Sequence, residues 1–273
     1  MTTSSTPSEL LELARGLALE AGSEVMRHLR GQAAREQLAA TVTRKTSRTD
    51  LVTAADEASE RLIIERLASA RPHDGVLAEE GGTRRGTSGL RWVVDPLDGT
   101  VNFLYGFPAF AVAIACEDAD GVIAGVVHDP LRDETFQASR GGGAWLGDER
   151  LAVGPGPEMD EALVGTGFGY GAERRAVQAK LLTTVLPAAR DVRRAGAAAL
   201  DLCYVAAGRL DCFYEAGLQP WDIAAASIVV REAGGSLELV DGIVPGASTI
   251  IAGPARLCGT LRRLLLAAAA AGG

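Results

Sequence analysis

The chain has 273 residues, 47% of them hydrophobic and 23% charged, with a formal net charge of −8. That is long and apolar enough for a soluble globular protein with a large core, and the acidic balance excludes nucleic-acid binding through a basic surface. It also slows the approach of an anionic substrate, so any phosphate site needs local cations.

Met1 to Pro7 is Ser/Thr-rich and lacks the basic and apolar blocks of a signal peptide. Thr6-Pro7-Ser8-Glu9 is then a capping box with proline at the first helical position. Leu10, Leu13, Ala14, Leu17, Ala18, Ala21, Val25 and Leu29 recur at helical spacing and predict a long helix to about Arg30. Thr41 to Asp50, with Arg44, Lys45 and Arg48 among Ser and Thr, reads as a mobile basic loop. A second helix is predicted over Ala54 to Ala68, capped by Thr53 and stopped by Arg71-Pro72.

Strand-length apolar runs follow at Leu90 to Asp95, Ala111 to Cys116 and Val122 to Val127, with Asp120-Gly121 as the hairpin turn between the last two. Thr135 to Ala138 and Ala144 to Leu146 are shorter strands, separated by a Gly141-Gly142-Gly143 bend that no helix follows. The second half predicts strands at Ala162 to Gly165, around Val192, and at Leu210 to Tyr214, Leu237 to Val240 and Ile250 to Ala252. Helices are predicted at Glu173 to Ala189, Ala197 to Ala207 and Pro220 to Ala233, the last closed by Gly234-Gly235. The apolar run Leu264 to Ala271 is too short to cross a bilayer and reads as a last helix. No linker or repeat interrupts the chain, so a single unit, 1–273, is expected, with interlocked lobes at about 7–155 and 156–273. The cytoplasm is the expected location, without membrane contact.

Cys116, Cys203, Cys212 and Cys258 are scattered without a Cys-x-x-Cys pair, and His28, His73 and His128 stand far apart. Neither a disulfide framework nor a zinc site is expected.

The chemistry-bearing residues are carboxylates. Asp95 ends an apolar run in Trp92-Val93-Val94-Asp95-Pro96-Leu97-Asp98-Gly99-Thr100, and Asp98 follows it at the start of a helix. Glu79 follows Val76-Leu77-Ala78, and Asp222 lies in Pro220-Trp221-Asp222. Taken singly, each has an ordinary explanation. Asp95 is a turn residue, Asp98 a helix N-cap, Glu79 part of a solvated acidic turn, and Asp222 a first-turn aspartate complementing its helix dipole. Asp95 and Asp98 at one junction, however, repel each other unless a cation neutralises them, and all-oxygen ligands select a hard ion such as Mg2+.

Trp92 to Phe103 resembles the first signature of the inositol monophosphatase family, and Trp221 to Gly235 resembles the second. Asp50 to Asp56, Leu77-Ala78-Glu79-Glu80, Arg194 to Asp201 and Phe213 to Gly217 are similar to its other elements, in the same order. The resemblance implies an α/β fold, the layered α/β/α/β/α sandwich of the lithium-sensitive sugar phosphatases. It implies two to three Mg2+ ions. One would rest on Glu79, Asp95 and the Leu97 carbonyl, a second on Asp95, Asp98 and Asp222, and a third on Glu79. It implies Glu79, Thr100 and Asp56 as catalytic residues. Gly99, Thr100, Asp98, Gly196, Ala198, Glu215 and Asp222 would bind substrate. Ala78 stands where the family has Gly, and Ala197 where animal members have Thr. Lys45 either closes over the site or is a solvated lysine.

The implied activity is hydrolysis of inositol 1-phosphate to myo-inositol and phosphate by a homodimer. The alternatives are a related phosphatase acting on fructose 1,6-bisphosphate, histidinol phosphate or 3′-phosphoadenosine 5′-phosphate, or an interaction protein of the transcription machinery. A glycosidase with paired carboxylates finds no support in the three-residue aspartate spacing.

Overall fold

The computed structural model describes residues 5–29, 43–44 and 51–271. Lys45, Arg48 and most of the predicted basic loop lie outside these residues, as does Arg30. The loop is bordered by a short ladder that its polar composition does not announce, in which β1 (Thr43–Arg44) pairs antiparallel with β2 (Leu51–Val52).

The first helix, α1 (Pro7–Leu29), starts at the expected capping box. The Thr6 N–H donates to Glu9 at 2.8 Å and the Glu9 N–H to the Thr6 hydroxyl at 3.3 Å. The second, α2 (Ala54–Ala70), is capped by Thr53 as predicted and runs two residues beyond the expected Ala68. Both helices lie on one face of a seven-stranded sheet ordered β3-β4-β5-β6-β7-β8-β9. Its strands are β3 (Gly75–Ala78), β4 (Arg91–Asp98), β5 (Ala111–Asp118), β6 (Gly121–Asp129), β7 (Glu134–Ser139), β8 (Gly143–Leu146) and β9 (Glu149–Arg150). Leu10, Leu17, Ile63 and Leu67 from the helices meet Trp92, Val94, Val112 and Ile114 from the sheet. The Trp92 indole N–H is satisfied inside this core by Asp74 at 3.0 Å.

Between β4 and β5 lies the short helix α3 (Thr100–Tyr105). The helices α5 (Ala198–Ala206) and α6 (Pro220–Glu232) pack on the other face of this sheet. Their opposite sides meet a five-stranded sheet ordered β11-β10-β12-β14-β13. It is built from β10 (Leu163–Thr166), β11 (Asp191–Arg193), β12 (Cys212–Ala216), β13 (Ser236–Val244) and β14 (Ala247–Gly253). The outermost layer is α4 (Ala172–Val185) and α7 (Ala255–Ala271), whose Leu181, Val185, Leu257 and Leu261 cover Val164, Tyr214 and Ile251. The layers therefore run helix, sheet, helix, sheet, helix. Strands of this kind, apolar on both faces, are what a buried sheet requires.

Several predicted boundaries move. The expected helix to Ala189 ends at Val185 and finishes as a single 3-10 turn, Leu186–Ala188, because Pro187 has no N–H to continue the ladder. The 210–214 strand starts later, at Cys212, and the four-residue strand Gly75–Ala78 is too short to stand out by periodicity. Gly234 closes the Pro220–Glu232 helix, with Gly235 N–H donating to the Val230 carbonyl at 2.9 Å. The triple glycine is a tie between layers, since Gly141 and Gly143 N–H groups donate to the Glu232 carboxylate at 2.8 and 3.0 Å. All four cysteines are buried and unpaired, Cys258 among them. Among the described residues no helix is long and apolar enough to cross a membrane.

Candidate active site

The strand carrying Asp95 does not end there. It continues to Asp98 through a bulge, with Asp95 opposite Ala113 and Asp98 opposite Ala111. Three residues on one strand thus span two on its neighbour. The extra residue cancels the alternation that would send Asp95 and Asp98 to opposite faces. Both now lie on the face of Ala111 and Ala113, toward the middle helices. Pro96 is tolerated because a bulge relieves it of a ladder hydrogen bond. The displaced backbone is held locally, the Leu97 N–H donating to Asp95 Oδ1 at 3.1 Å and the Ser59 hydroxyl to the Pro96 carbonyl at 2.8 Å.

Glu79 is placed by the neighbouring strand. Gly75–Ala78 runs parallel to Arg91–Asp98, with Ala78 beside Val94, so the next residue on each strand is the acid. The Glu79 N–H donates to the Val94 carbonyl at 3.2 Å.

Asp98 is not the cap of its own helix. Gly99 takes the N-cap position with φ +89°, and Asp98 instead caps a helix a hundred residues away. Its oxygens accept the Ala198 and Ala199 N–H groups at 3.2 and 2.7 Å. Asp222 does occupy the first turn of its helix, as expected, and accepts the Gln219 N–H at 2.6 Å. Three helix N-termini, at Thr100, Ala198 and Pro220, thus converge on the bulge, and their partial positive ends favour negative charge.

Behind the acids stands Asp56, fully buried at the first turn of the Ala54–Ala70 helix. It accepts the Thr53 hydroxyl at 2.5 Å, the Thr53 N–H at 2.9 Å and the Thr100 hydroxyl at 2.8 Å. Burial pushes its carboxyl up to about 6, tempered by those hydrogen bonds and raised further by Glu79. Asp95 is 1% exposed, and its carboxyl is held well above the ordinary range by burial and then by Glu79, Asp98 and Asp222. Asp98 is pushed up to about 7, chiefly by burial, against the pull of the Ala199 N–H. Glu79, Asp98 and Asp222 are the acids whose like charge acts on Asp95.

A cleft of about 1050 Å³ opens over these residues. Glu79, Asp98, Gly99, Gly196, Ala198, Glu215 and Asp222 line it, which brings together every substrate-side residue expected from the sequence except Thr100. Thr100, Asp95, Leu97 and Asp56 lie beneath its floor, all buried. Glu215 lines the same cleft, and burial lifts its carboxyl to about 8 against the attraction of Arg194. Trp221 lines the cleft as well as packing on the middle layer.

Sequence reasoning passed over Arg174 and gave Arg194 no role beyond opening a family-like element, yet among the described residues both bring positive charge to the lining of this cleft. Each stands beside another arginine, Arg175 and Arg193 respectively, with no local signal that tells which of the pair faces the acids; only the fold carries Arg174 and Arg194 there. Asn102 was missed too. Its side-chain amide reaches the carbonyls of Ala109 at 2.7 Å and Ala195 at 2.9 Å, tying the short helix to the substrate-side loop. Asp201 is a further buried carboxylate, lifted to about 8 by burial and by Asp98 against the attraction of Arg194.

The donor set around Asp95 is all oxygen and mutually repelling, which fits a hard divalent cation. Among the described residues no three side chains already stand in coordinating contact. Asp95, Asp98 and Asp222 are each turned onto backbone N–H groups instead. The expected ligands are therefore neighbours, not a finished coordination sphere.

Gly99→Ala should be severely damaging. A Cβ there would stand 2.8 Å from the Ala109 carbonyl oxygen in a left-handed conformation. We expect a loss of about 2–4 kcal/mol in urea unfolding, together with loss of ligand-dependent stabilisation.

Residues 6–270 match the sequence profile of the Inositol monophosphatase family. An "Inositol-1-monophosphatase" of Mycobacterium bovis is 47% identical over 216 residues, covering 76% of this chain and 74% of that protein. A "Nus factor SuhB" of Xylella fastidiosa is 42% identical over 219 residues, covering 80% and 77%. Among solved structures, the extragenic suppressor protein suhB of Bartonella henselae superposes with a TM-score of 0.86 at 37% identity, covering 94% of this chain and 98% of that one.

Proposed function

Because the chain belongs to the inositol monophosphatase family, we propose that it is a Mg2+-dependent phosphoric monoester hydrolase that converts inositol 1-phosphate to myo-inositol and phosphate. The observation that supports this most is the environment of Asp95, a buried carboxylate beside which Glu79, Asp98 and Asp222 add like charge. Such a cluster is costly to fold unless a cation neutralises it.

Glu79, Asp95 and the Leu97 carbonyl would hold one Mg2+, and Asp95, Asp98 and Asp222 a second, with a third on Glu79. Bound there, the metal neutralises phosphoryl charge and acidifies a water. The chain's own residues do the rest. The Thr100 hydroxyl spends its proton on Asp56 at 2.8 Å, so its lone pairs face outward as acceptors. Thr100 and Glu79 together orient a water for in-line attack on phosphorus, and the phosphorus–oxygen bond to the polyol breaks without a covalent enzyme intermediate. Backbone N–H groups of Gly99 and Thr100, in the first helical turn, receive the phosphoryl oxygens. Arg174 and Arg194 supply the local positive charge that an acidic protein needs to draw in a phosphate ester. Glu215, with Gly196 and Ala198, meets the hydroxyl groups of the polyol.

The deciding experiment measures Mg2+-dependent phosphate release from inositol 1-phosphate, fructose 1,6-bisphosphate, histidinol phosphate and 3′-phosphoadenosine 5′-phosphate. We expect inositol 1-phosphate to be preferred. Preference for another ester would keep the chemistry and reassign the substrate. Glu215→Gln should cost inositol 1-phosphate about tenfold in kcat/KM and a generic aryl phosphate much less. Equal losses on both would refute a recognition role for Glu215.

The similarity to a protein named as a Nus factor supports a second reading, an interaction protein of the transcription machinery. No phosphate release from any ester by folded, Mg2+-loaded protein would favour it.

A further inference from the structure

The Ala54–Ala70 helix buries a polar stripe. Asp56 and Ser59 are fully buried and Glu60 is 6% exposed. At spacings of three and four residues they share one face of the helix. Buried polar groups cost stability unless each finds a partner. The partners here lie on three different segments that carry the site. Asp56 takes the Thr100 hydroxyl at 2.8 Å, and Ser59 donates to the Pro96 carbonyl in the bulge at 2.8 Å. Glu60 accepts the Glu80 N–H at 2.7 Å and the Gly82 N–H at 3.0 Å, one on each carboxylate oxygen.

Glu60 thereby clamps the turn that begins at Glu79. The fit is close, for a Cβ on Gly82 would lie 1.9 Å from the Ile64 side chain and 3.0 Å from Glu60 Oε1. The turn therefore rests directly on the helix.

We propose that this face is a positioning template for the metal-binding segments, with Glu60 the residue that sets the place of Glu79. The inference rests on the metallophosphatase reading above. Glu60 and Ser59 touch neither substrate nor reacting atoms and act through Glu79 and the 95–97 bulge. Only a carboxylate serves at position 60, because two backbone donors face its two oxygens. A glutamine there must set its NH2 group against one of those N–H groups.

The test is calorimetric titration with Mg2+ alone, on the full chain and on Glu60→Gln, with Glu57→Gln as an exposed control on the same helix. We expect Glu60→Gln to weaken Mg2+ binding about tenfold and to raise the Mg2+ concentration for half-maximal phosphate release in step. At saturating Mg2+ the KM for inositol 1-phosphate should stay within about twofold, and Glu57→Gln should match the parent. Unchanged Mg2+ affinity with a lowered melting temperature would make Glu60 a structural residue and overturn the proposal. Should Glu60→Gln fail to fold, Ser59→Ala carries the same readout. A loss of at least threefold in its Mg2+ affinity supports the template and parent-like affinity overturns it. If the parent chain itself takes up no Mg2+, the metallophosphatase reading fails and the template with it.

Discussion

Asp95→Asn should raise the melting temperature of the metal-free protein while removing nearly all phosphate release. Asp95 is buried and its charged form is opposed by Glu79, Asp98 and Asp222. Asparagine has nearly the same shape and no charge to repel. A gain of about 1–2 kcal/mol would move the melting point up by roughly 2–8 °C in a protein of this size. Turnover should fall by about a thousandfold or more, since a neutral amide is a poor ligand for a hard cation. The stabilising effect of added Mg2+ should disappear with it. Scanning calorimetry with and without Mg2+, beside a phosphate-release assay, reads all three. A variant that is less stable than the parent and still responds to Mg2+ would remove Asp95 from the metal site.

The same cluster sets a pH dependence whose sign follows from the raised carboxyls. Asp98 sits at about 7 in the folded protein against 3.8 ordinarily, and Asp95 is raised as well. The folded state therefore holds protons that the unfolded chain releases from about pH 4 upward. The contribution of this cluster to the stability of the metal-free protein is greatest below that range and is lost as pH rises toward about 7, opposite in sign to that of carboxyls lowered by ion pairs such as Asp74 and Asp118. Asp95→Asn should flatten this slope, and saturating Mg2+ should oppose it.

Thr100→Val should lower kcat by about a hundredfold or more, and Thr53→Val by no more than about tenfold. The comparison is sharp because both hydroxyls donate to the same buried carboxylate, Thr100 at 2.8 Å and Thr53 at 2.5 Å. Each valine leaves Asp56 short of a donor and costs about 1–3 kcal/mol of stability. Thr53→Val also removes a helix cap, worth about 1 kcal/mol. On stability alone Thr53→Val should be the worse of the two. Only Thr100 also stands at the helix start beneath the cleft, where its oxygen would orient the attacking water, a role worth about 10²–10⁴ in rate. Equal kcat for both variants would reduce Thr100 to a structural hydrogen bond and leave Glu79 alone to orient the water.

Much of the secondary structure was legible in the chain because its signals are local. The Thr6–Glu9 capping box, the Thr53 cap, the Asp120-Gly121 hairpin and the Gly234 helix stop each involve residues within a few positions of one another. The acids were legible as a set through resemblance, and Asp222 was in the first turn where its proline placed it. Two local expectations failed for physical reasons. Asp98 reads as the cap of the helix that follows it, yet it caps Ala198 and Ala199, because hydrogen bonding rewards proximity in space and not in sequence. The 90–95 strand reads as ending at Asp95, yet it continues through a bulge, which alternation of apolar residues does not reveal.

By itself, then, the sequence determined the helices and most strands, since periodicity, capping and turn chemistry act over short distances, while the acids stood out as a set only through a family resemblance. Only the tertiary structure decided how those acids meet. The bulge turned Asp95 and Asp98 to one face, the parallel pairing of β3 and β4 set Glu79 beside Asp95, and three helix N-termini converged there. It also brought in Arg174, Arg194 and the buried face of Asp56, Ser59 and Glu60. Charge repulsion, burial and backbone donors depend on distances that chain order does not contain, and they exist only once the layers have packed.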